Sequence, residues 1–101
     1  MSKCGNALVE LGILPNLIGF NYICQAVNII HLHKEQIPIT RIYEEVADIF
    51  DVSTASVERG IRHAFSKCRE TELYRQLLGY AETNGERLYT LAYRLEEYKD
   101  E

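Results

Sequence analysis

The sequence predicts an all-α fold, a compact bundle of about six helices that forms a single domain over residues 1–101. Apolar residues recur at helical spacing along nearly the whole chain, and no run alternates strictly for long enough to indicate a strand. The 101 residues are 47% apolar and 26% charged, the composition of an ordinary soluble globular domain. Only eight residues are glycine or proline, too few for a linker, so we expect no domain boundary.

Two helices are predicted in the first third of the chain. The first spans residues 3–11 and ends at Gly12, a candidate left-handed cap. The second runs from Asn16, as its N-cap, to His33, and apolar residues cover so much of its circumference that we place it at the centre of the bundle. A membrane span needs about 20 mostly apolar residues. Four amides interrupt the apolar window, at Asn16, Asn21, Gln25 and Asn28, so we expect a buried helix and no membrane association.

Two further helices are predicted in the middle of the chain. Helix three spans residues 40–50, with Thr40 as its cap candidate. Helix four starts after Ser53 and runs over residues 54–68. The residues of helix three that we expect to face inward are Ile42, Val46, Ile49 and Phe50.

The last third of the chain predicts two more helices and a polar tail. A short helix covers residues 71–78 and stops at Gly79. The last helix opens at residues 83–86, which read T-N-G-E and form a capping box, because the threonine and glutamate side chains can satisfy free N–H groups of the first turn. The tail, residues 96–101, is polar, and we expect it to fray.

The stretch from residue 43 to residue 62 meets the requirements of a helix-turn-helix, which we place at about residues 40–69. Ala47 supplies the small residue at which the second helix crosses the first, and Ser53 is placed to cap the second helix. Gly60 costs about 1 kcal/mol relative to alanine inside a helix, so we expect a close helix crossing there. The apolar residues expected beneath the turn and on the inner face are Val46, Phe50, Val52, Val57 and Ile61. Helix pairs joined by a tight turn also occur as plain structure, which leaves a purely structural interpretation open.

The outward face of helix four carries the candidate chemistry. In a DNA-binding helix-turn-helix this face enters the major groove. Arg59 and Arg62 each offer a fork to the O6 and N7 atoms of guanine, and Glu58 can accept from the N4 amine of cytosine. An acid beside arginines indicates base selection, since it would weaken a purely electrostatic binder. The alternative is a surface ion pair between Glu58 and Arg62, worth a few tenths of a kcal/mol.

The charge distribution favours the same segment. The whole chain has a net charge of −4, which argues against binding nucleic acid by bulk charge. Residues 52–75 carry five basic and three acidic groups, net +2, whereas residues 1–51 and 76–101 are each net −3. The positive third of the chain therefore holds the candidate recognition helix, and we expect a small patch whose affinity depends strongly on salt.

Several segments resemble one known family, the C-terminal DNA-binding effector domain of the sporulation master response regulators of endospore-forming bacteria. They read L-G-I-L-P at residues 11–15, G-F-N-Y at 19–22, I-T-R-I-Y at 39–43 and, most specifically, V-E-R-G-I-R-H-A at 57–64. L-G-Y at 78–80 and T-N at 83–84 add to a resemblance that covers nearly the whole chain. It implies a six-helix cytoplasmic bacterial domain that binds double-stranded DNA through a helix-turn-helix, as head-to-tail pairs at tandem boxes, and regulates transcription.

The resemblance also assigns residues, and it shows departures. Glu58, Arg59 and Arg62 fall on the family's base-reading face, while His63 and residues 53–55 fall near the DNA backbone. Ser56 stands where the family typically has a basic residue, and residues 80–82 form a loop that is longer and lysine-rich in the family. The family regulator has an upstream phosphoacceptor receiver domain that this sequence lacks, so we expect no input through its phosphorylation.

The sequence therefore predicts a sequence-specific DNA-binding transcription regulator, with Lys67 and Arg69 as phosphate anchors. The full set of predicted DNA contacts is Ser53, Thr54, Ala55, Ser56, Glu58, Arg59, Arg62, His63, Lys67 and Arg69. The alternative is a protein-interaction module with weak DNA binding, which pairs with or antagonises a full-length regulator. Its contact patch would be centred on helix one or on Tyr89, Tyr93 and Tyr98 of the last helix.

No feature indicates an enzyme, a cofactor or a metal site. The sequence contains no GxSxG, P-loop or HExxH motif. His31 and His33 point to different sides of their helix, so we expect a dipole interaction at its C-terminus and no shared metal. The three cysteines form no CxxC motif and indicate a reducing cytosol with no disulfide framework. We expect Cys24 and Cys68 in the core and Cys4 at the surface.

Overall fold

Six α-helices follow one another in the computed structural model, which describes residues 2–98 and contains no strand in that range. They are α1 Lys3–Leu11, α2 Ile18–Leu32, α3 Ile39–Phe50, α4 Thr54–Phe65, α5 Glu72–Leu77 and α6 Asn84–Arg94, followed by a 3₁₀ turn at Leu95–Glu97. The predicted all-α class with six helices is confirmed. None of these helices combines the length and the apolar character that a membrane crossing needs.

Helix α1 has the bounds that the sequence predicts. The Ser2 hydroxyl accepts a hydrogen bond from the Gly5 N–H at 3.0 Å, which satisfies one of the free donors of the first turn. Gly12 ends the helix in the left-handed conformation, with φ 103°. Cys4 is only 7% exposed, so the prediction of a surface thiol was wrong. The reason is helical spacing, because Cys4 lies on the same face as Leu8 and Leu11, which are both fully buried.

Helix α2 is the centre of the bundle, as predicted, and packs against α1, α3, α4 and α6. It begins at Ile18, so the prediction that Asn16 caps it was wrong. The backbone N–H of Leu17 donates to the Leu14 carbonyl at 3.1 Å. This turn delays the helix, and the extended Leu17 becomes its N-cap without any side-chain hydrogen bond. At the other end the helix stops at Leu32 and His33 is its cap.

Helix α3 begins at Ile39, one residue before the predicted start. Its N-cap is Pro38, whose φ of −60° is already close to the helical value and whose carbonyl accepts from Arg41 at 3.0 Å. Thr40 therefore lies inside the first turn. Ile42 and Val46 are buried as predicted, whereas Ile49 is 55% exposed. Because the buried stripe follows residues 42, 46 and 47, Ile49 falls beyond its edge.

Helix α4 ends at Phe65, three residues before the predicted Cys68. Lys67 and Cys68 donate to carbonyls three residues back, at 3.0 and 3.1 Å, so the last turn tightens and the helix stops. The chain then turns towards α1, where the Arg69 N–H donates to the Leu11 carbonyl at 2.9 Å. Cys68 is half-buried, packed against the core as expected.

The C-terminal part confirms the predicted capping box and corrects the tail, and the short helix α5 is capped at Leu78, one residue before the predicted Gly79. Thr83 and Glu86 form the capping box, with the Thr83 hydroxyl accepting from the Glu86 N–H at 3.1 Å and the Glu86 carboxylate accepting from the Thr83 N–H at 3.0 Å. The predicted fraying was wrong for residues 96–98. Tyr98 is 9% exposed and its hydroxyl donates to the Glu10 carboxylate at 2.5 Å, which anchors the end of the bundle on α1. Residues 99–101 of the predicted tail lie outside the described residues.

Candidate nucleic-acid interface

Helices α3 and α4 are joined by three residues, 51–53, and together we call them the α3–α4 unit. Asp51 adopts the left-handed conformation, with φ 54° and ψ 51°, which aspartate tolerates better than most residues. The N–H groups of Asp51 and Val52 both donate to the Ala47 carbonyl, the second at 3.0 Å. These bonds close the end of α3, so that the chain turns and α4 begins after three residues.

Ser53 starts α4 directly after this turn, as predicted. Its hydroxyl accepts from the Ser56 N–H at 3.1 Å and donates to the Ser56 hydroxyl at 3.0 Å. Ser56 is thereby engaged in the cap, and its side chain has a role within the helix. The cap holds the N-terminus of α4 in a defined position, with Thr54 and Ala55 exposed beside it.

Helix α2 supports α4 from behind at a crossing of two glycines. A Cβ atom added at Gly19 would lie 2.1 Å from the Gly60 carbonyl oxygen, and one added at Gly60 would lie 2.8 Å from the ring of Tyr22. The missing Cβ of Gly19 therefore lets the backbones of α2 and α4 touch, and the missing Cβ of Gly60 leaves room for the Tyr22 ring. The predicted crossing at Gly60 is confirmed, and its partner is α2.

The inner face of α4 is buried as predicted, at Val57, Ile61, Ala64 and Phe65. Two residues expected beneath the turn are less buried. Phe50 is half-buried and makes an edge-on contact with the Tyr22 ring at 5.1 Å between centroids. Val52 is 37% exposed, because the turn itself lies at the surface.

The outer face of α4 presents the predicted base-reading residues. Glu58 and Arg62 form an ion pair, with Nη1 and Oε1 2.5 Å apart and side chains 34% and 62% exposed. The surface ion pair between Glu58 and Arg62, which is the alternative to base reading, is therefore present in the molecule. Arg59 and His63 are exposed. Among residues 2–98, the Arg59 guanidinium forms no ion pair, so its charge is not neutralised by a neighbour.

The two predicted phosphate anchors lie past the other end of α4. The helix of 12 residues separates them from Ser53 by about 18 Å at 1.5 Å per residue. Lys67 is exposed. The Arg69 guanidinium donates to the Glu10 carbonyl at 3.4 Å and lies over Gly12, so it interacts with the C-terminal end of α1.

One contact to α4 that the sequence interpretation missed comes from Asn84 of α6. The Asn84 side-chain amide donates to the Glu58 backbone carbonyl at 3.2 Å, which joins the start of α6 to the middle of α4. Asn84 also shares a hydrogen bond with the Tyr43 hydroxyl of α3, and burial nevertheless raises the pKa of Tyr43. The Asn84–Glu58 contact spans 26 residues of sequence, so no local pattern could have revealed it.

The three tyrosines predicted as a protein-contact patch, Tyr89, Tyr93 and Tyr98, do not form one surface. The Tyr89 hydroxyl donates to the Ile37 carbonyl at 2.6 Å and accepts from the Ile37 N–H at 3.0 Å. Tyr98 is buried against α1, and Tyr93 alone of the three is strongly exposed, at 78%. Tyr93 lines a cleft with three acidic residues and one basic residue, which are Glu10, Glu96, Glu97 and Arg94.

The two histidines make specific contacts that the sequence did not indicate. The ring of His31 is hydrogen-bonded to the Ala92 carbonyl at 2.8 Å, which ties α2 to α6. The ring of His33 lies 3.2 Å from the Glu45 carboxylate, which Arg41 also approaches at 3.5 Å. Both histidines thus join α2 to neighbouring helices.

The fold and this surface define the class: a small all-α domain that exposes an N-capped, arginine-bearing helix directly after a short turn, which is typical of helical DNA-binding domains. The chain belongs to the family described as "Sporulation initiation factor Spo0A C terminal", whose model matches residues 5–94. The resemblance seen in the sequence is thereby confirmed, and the protein is a DNA-binding regulatory domain in this general sense. Searches among curated proteins and among solved structures return no match.

Proposed function

We propose that the protein is a sequence-specific transcription regulator whose α3–α4 unit acts as a helix-turn-helix, with α4 in the major groove of double-stranded DNA. One observation carries the proposal: the inner face of α4 is held by α2 at the Gly19–Gly60 contact, while Glu58, Arg59 and Arg62 point away from the core on the other side. A rigid helix with an exposed polar face can present its side chains to base edges in a fixed register.

The three outward residues have different tasks in this proposal. Arg59 and Arg62 each read a guanine by two hydrogen bonds, and Glu58 accepts from a cytosine. The Glu58 carboxylate holds the Arg62 guanidinium at 2.5 Å, so Arg62 is oriented before DNA arrives. The same carboxylate repels phosphates, which lowers the affinity for every DNA sequence. Favourable binding then depends on the hydrogen bonds to matching bases.

Contacts to the DNA backbone come from both ends of α4. The exposed first turn, Thr54 and Ala55, places N–H groups and the positive end of the helix dipole towards a phosphate. At the far end Lys67 is an exposed cation and provides the stronger anchor. Arg69 contributes less, because its guanidinium already donates to the Glu10 carbonyl. Two copies bind head to tail at tandem boxes, as the family resemblance implies.

Fluorescence anisotropy tests the proposal directly. A labelled duplex carrying the tandem box of the family is compared with a scrambled duplex at about 50 and 200 mM salt, a range over which phosphate contacts weaken markedly. We expect selective binding to the box that falls with salt. The double variant Arg59→Ala/Arg62→Ala should lose that selectivity by about tenfold or more, since each bidentate contact is worth about 1–3 kcal/mol.

The matched control is Arg75→Ala, which removes one exposed positive charge from α5. It should lower affinity for both duplexes slightly and leave their ratio unchanged. Unchanged box selectivity in the double variant would show that α4 is not the reading face.

The alternative is a protein-interaction module, and one observation favours it: the exposed Tyr93 beside the acidic cleft. This surface suits a partner with a basic, partly apolar contact patch. Weak and equal binding to both duplexes, together with capture of a purified full-length regulator that Tyr93→Ala abolishes, would support this second function.

A further inference from the structure

Cys4 of α1 and Cys24 of α2 form a thiol pair across the contact between these two helices. Their side chains are hydrogen-bonded to each other. Cys4 is 7% exposed and Cys24 is half-buried. The third cysteine, Cys68, lies elsewhere, and burial raises its pKa to about 11 against the opposing charge of Arg87. The chain therefore holds one adjacent pair and one isolated thiol.

The two thiols of the pair are chemically unequal. The pKa of Cys24 is lowered, chiefly by its hydrogen bond with Cys4, and the Ser2 hydroxyl adds to this effect against the opposing influence of burial. The same hydrogen bond and burial raise the pKa of Cys4. Cys4 thus keeps its proton and donates it towards the Cys24 sulfur, which is the more nucleophilic and the more exposed of the two.

A small oxidant can reach the pair. A surface cavity of about 270 Å³ lies against Cys4 and is lined by Ser2, Lys3, Val27 and His31. Hydrogen peroxide is far smaller than this cavity. Cys24 itself is partly open to solvent, so attack does not require the helices to separate.

We propose that Cys4 and Cys24 are a modification site, at which hydrogen peroxide forms a reversible disulfide between α1 and α2. The Cys24 thiolate attacks one peroxide oxygen, so that an S–O bond forms, the O–O bond breaks and the other oxygen leaves as hydroxide and is protonated to water. Cys4 then loses its proton and attacks the Cys24 sulfur. The S–S bond forms, the S–O bond breaks, and the oxygen leaves with that proton as a second water. The two thiols lose two electrons and peroxide gains them.

The test uses the whole reduced protein, which has three free thiols, and does not depend on DNA binding. It is treated with hydrogen peroxide, then denatured and alkylated with iodoacetamide. We expect the mass to fall by two hydrogen atoms, a single alkylated cysteine at Cys68, and a peptide linking residues 4 and 24. Dithiothreitol should restore three alkylated thiols. Three alkylated thiols after oxidation, or a link that includes Cys68, would overturn the proposal.

Variants separate the two roles. Cys68→Ala is the matched control and should form the disulfide at the rate of the unchanged protein. Cys4→Ser, which keeps a hydroxyl donor beside Cys24 but cannot form the disulfide, should stop at a sulfenic acid on Cys24 that dimedone traps, and circular dichroism checks that it folds. Dimedone labelling of Cys4 in Cys24→Ala at an equal rate would contradict the assignment of Cys24 as the attacking thiol.

The melting temperature gives an independent readout without any substitution. The cross-link closes a loop of about 20 residues, which should raise the melting temperature of the oxidised protein by roughly 10–20 °C if the thiols already have suitable geometry. A lower melting temperature after oxidation would mean that the bond forms only by distorting the α1–α2 contact, and would refute a pre-positioned pair.

Discussion

Helices α4 and α6 are similar in length and capping, yet they use their outward polar residues in opposite ways. The polar groups of α6 contact the rest of the molecule: Asn84 donates to Glu58, Tyr89 bonds to Ile37, and Arg94 donates to two carbonyls at the end of α5. On α4, Arg59 and His63 remain exposed, and the Glu58–Arg62 pair forms within the helix itself.

Residue type does not by itself identify a binding face. Both helices carry arginines, and both have caps that the sequence predicts. They differ in whether the donors already have partners within the protein. A satisfied donor stabilises the fold, whereas an exposed one is available to DNA. Substitutions on α4 should therefore change DNA binding more than stability, and substitutions on α6 the reverse.

The largest expected effect is on the Gly19–Gly60 contact, which holds the inner face of α4 against α2. Gly19→Ala places a Cβ 2.1 Å from the Gly60 carbonyl, so α2 and α4 must move apart. Overpacking of this kind costs about 3 kcal/mol, and urea unfolding would measure it as a lower midpoint. Gly85→Ala is the matched control, because its Cβ would meet Ile39 at an ordinary 3.5 Å. That variant should be more stable by about 0.5 kcal/mol or more.

The next effect is expected at Arg94 of α6. Its guanidinium donates to the carbonyls of Arg75 and Gln76 at 3.2 and 3.0 Å. Arg94→Ala should lower the free energy of unfolding by about 1–2 kcal/mol and leave the affinity for box DNA unchanged. Arg59→Ala should show the opposite pattern. Weaker box binding by a folded Arg94→Ala variant would contradict the distinction between a stabilising α6 and a DNA-binding α4.

Asn84 connects the two helices, and we expect a smaller effect on both properties. Asn84→Ala leaves the Glu58 carbonyl without its side-chain donor, which should cost about 1 kcal/mol of stability and weaken box binding severalfold by loosening α4. Thermal unfolding and anisotropy measure the two effects. Asn21→Ala, an exposed amide on α2, is the control and should change neither quantity.

The smallest effect concerns the N-terminal caps of these two helices, because α4 is capped by the Ser53 hydroxyl whereas the cap of α6 includes the Glu86 carboxyl. Hydrogen bonds from the backbone N–H groups of Glu82 and Thr83 hold the pKa of the Glu86 carboxyl below its usual 4.5. A lowered pKa stabilises the folded state above pH 4.5, and this stabilisation disappears as the pH falls through the folded-state value. Glu86→Gln should therefore be less stable than the unchanged protein at pH 7, with the difference shrinking below pH 4.5. A difference independent of pH would contradict this.

The predicted site contains one group of residues that local structure brings together and one residue, Arg69, whose position depends on a distant contact. Residues 53–63 lie together on α4 because they share one helix, and this part of the site was predictable from spacing. Arg69 was grouped with them by its charge. In the molecule it bonds to the Glu10 carbonyl, 59 residues away in sequence, and no charge pattern indicates such a partner.

The local sequence predicts six helices and the caps at Gly12, Ser53 and Thr83, whereas the start of α2 and the end of α4 follow from turns that it did not indicate. Gly12, Ser53 and the capping box of Thr83 and Glu86 act within four residues of themselves, so their chemistry can be read directly from the sequence. The family also follows from the sequence, through V-E-R-G-I-R-H-A and its companion segments.

Packing between the helices determines which polar and reactive groups already have partners. Ile49 became exposed, Cys4 became buried beside Cys24, and Asn84 came to hold α4. Each outcome depends on which helix packs against which, and at what distance. Packing brings together residues that are far apart in the chain. A periodic pattern predicts which face of a helix a side chain lies on, but it does not predict which residue the side chain contacts.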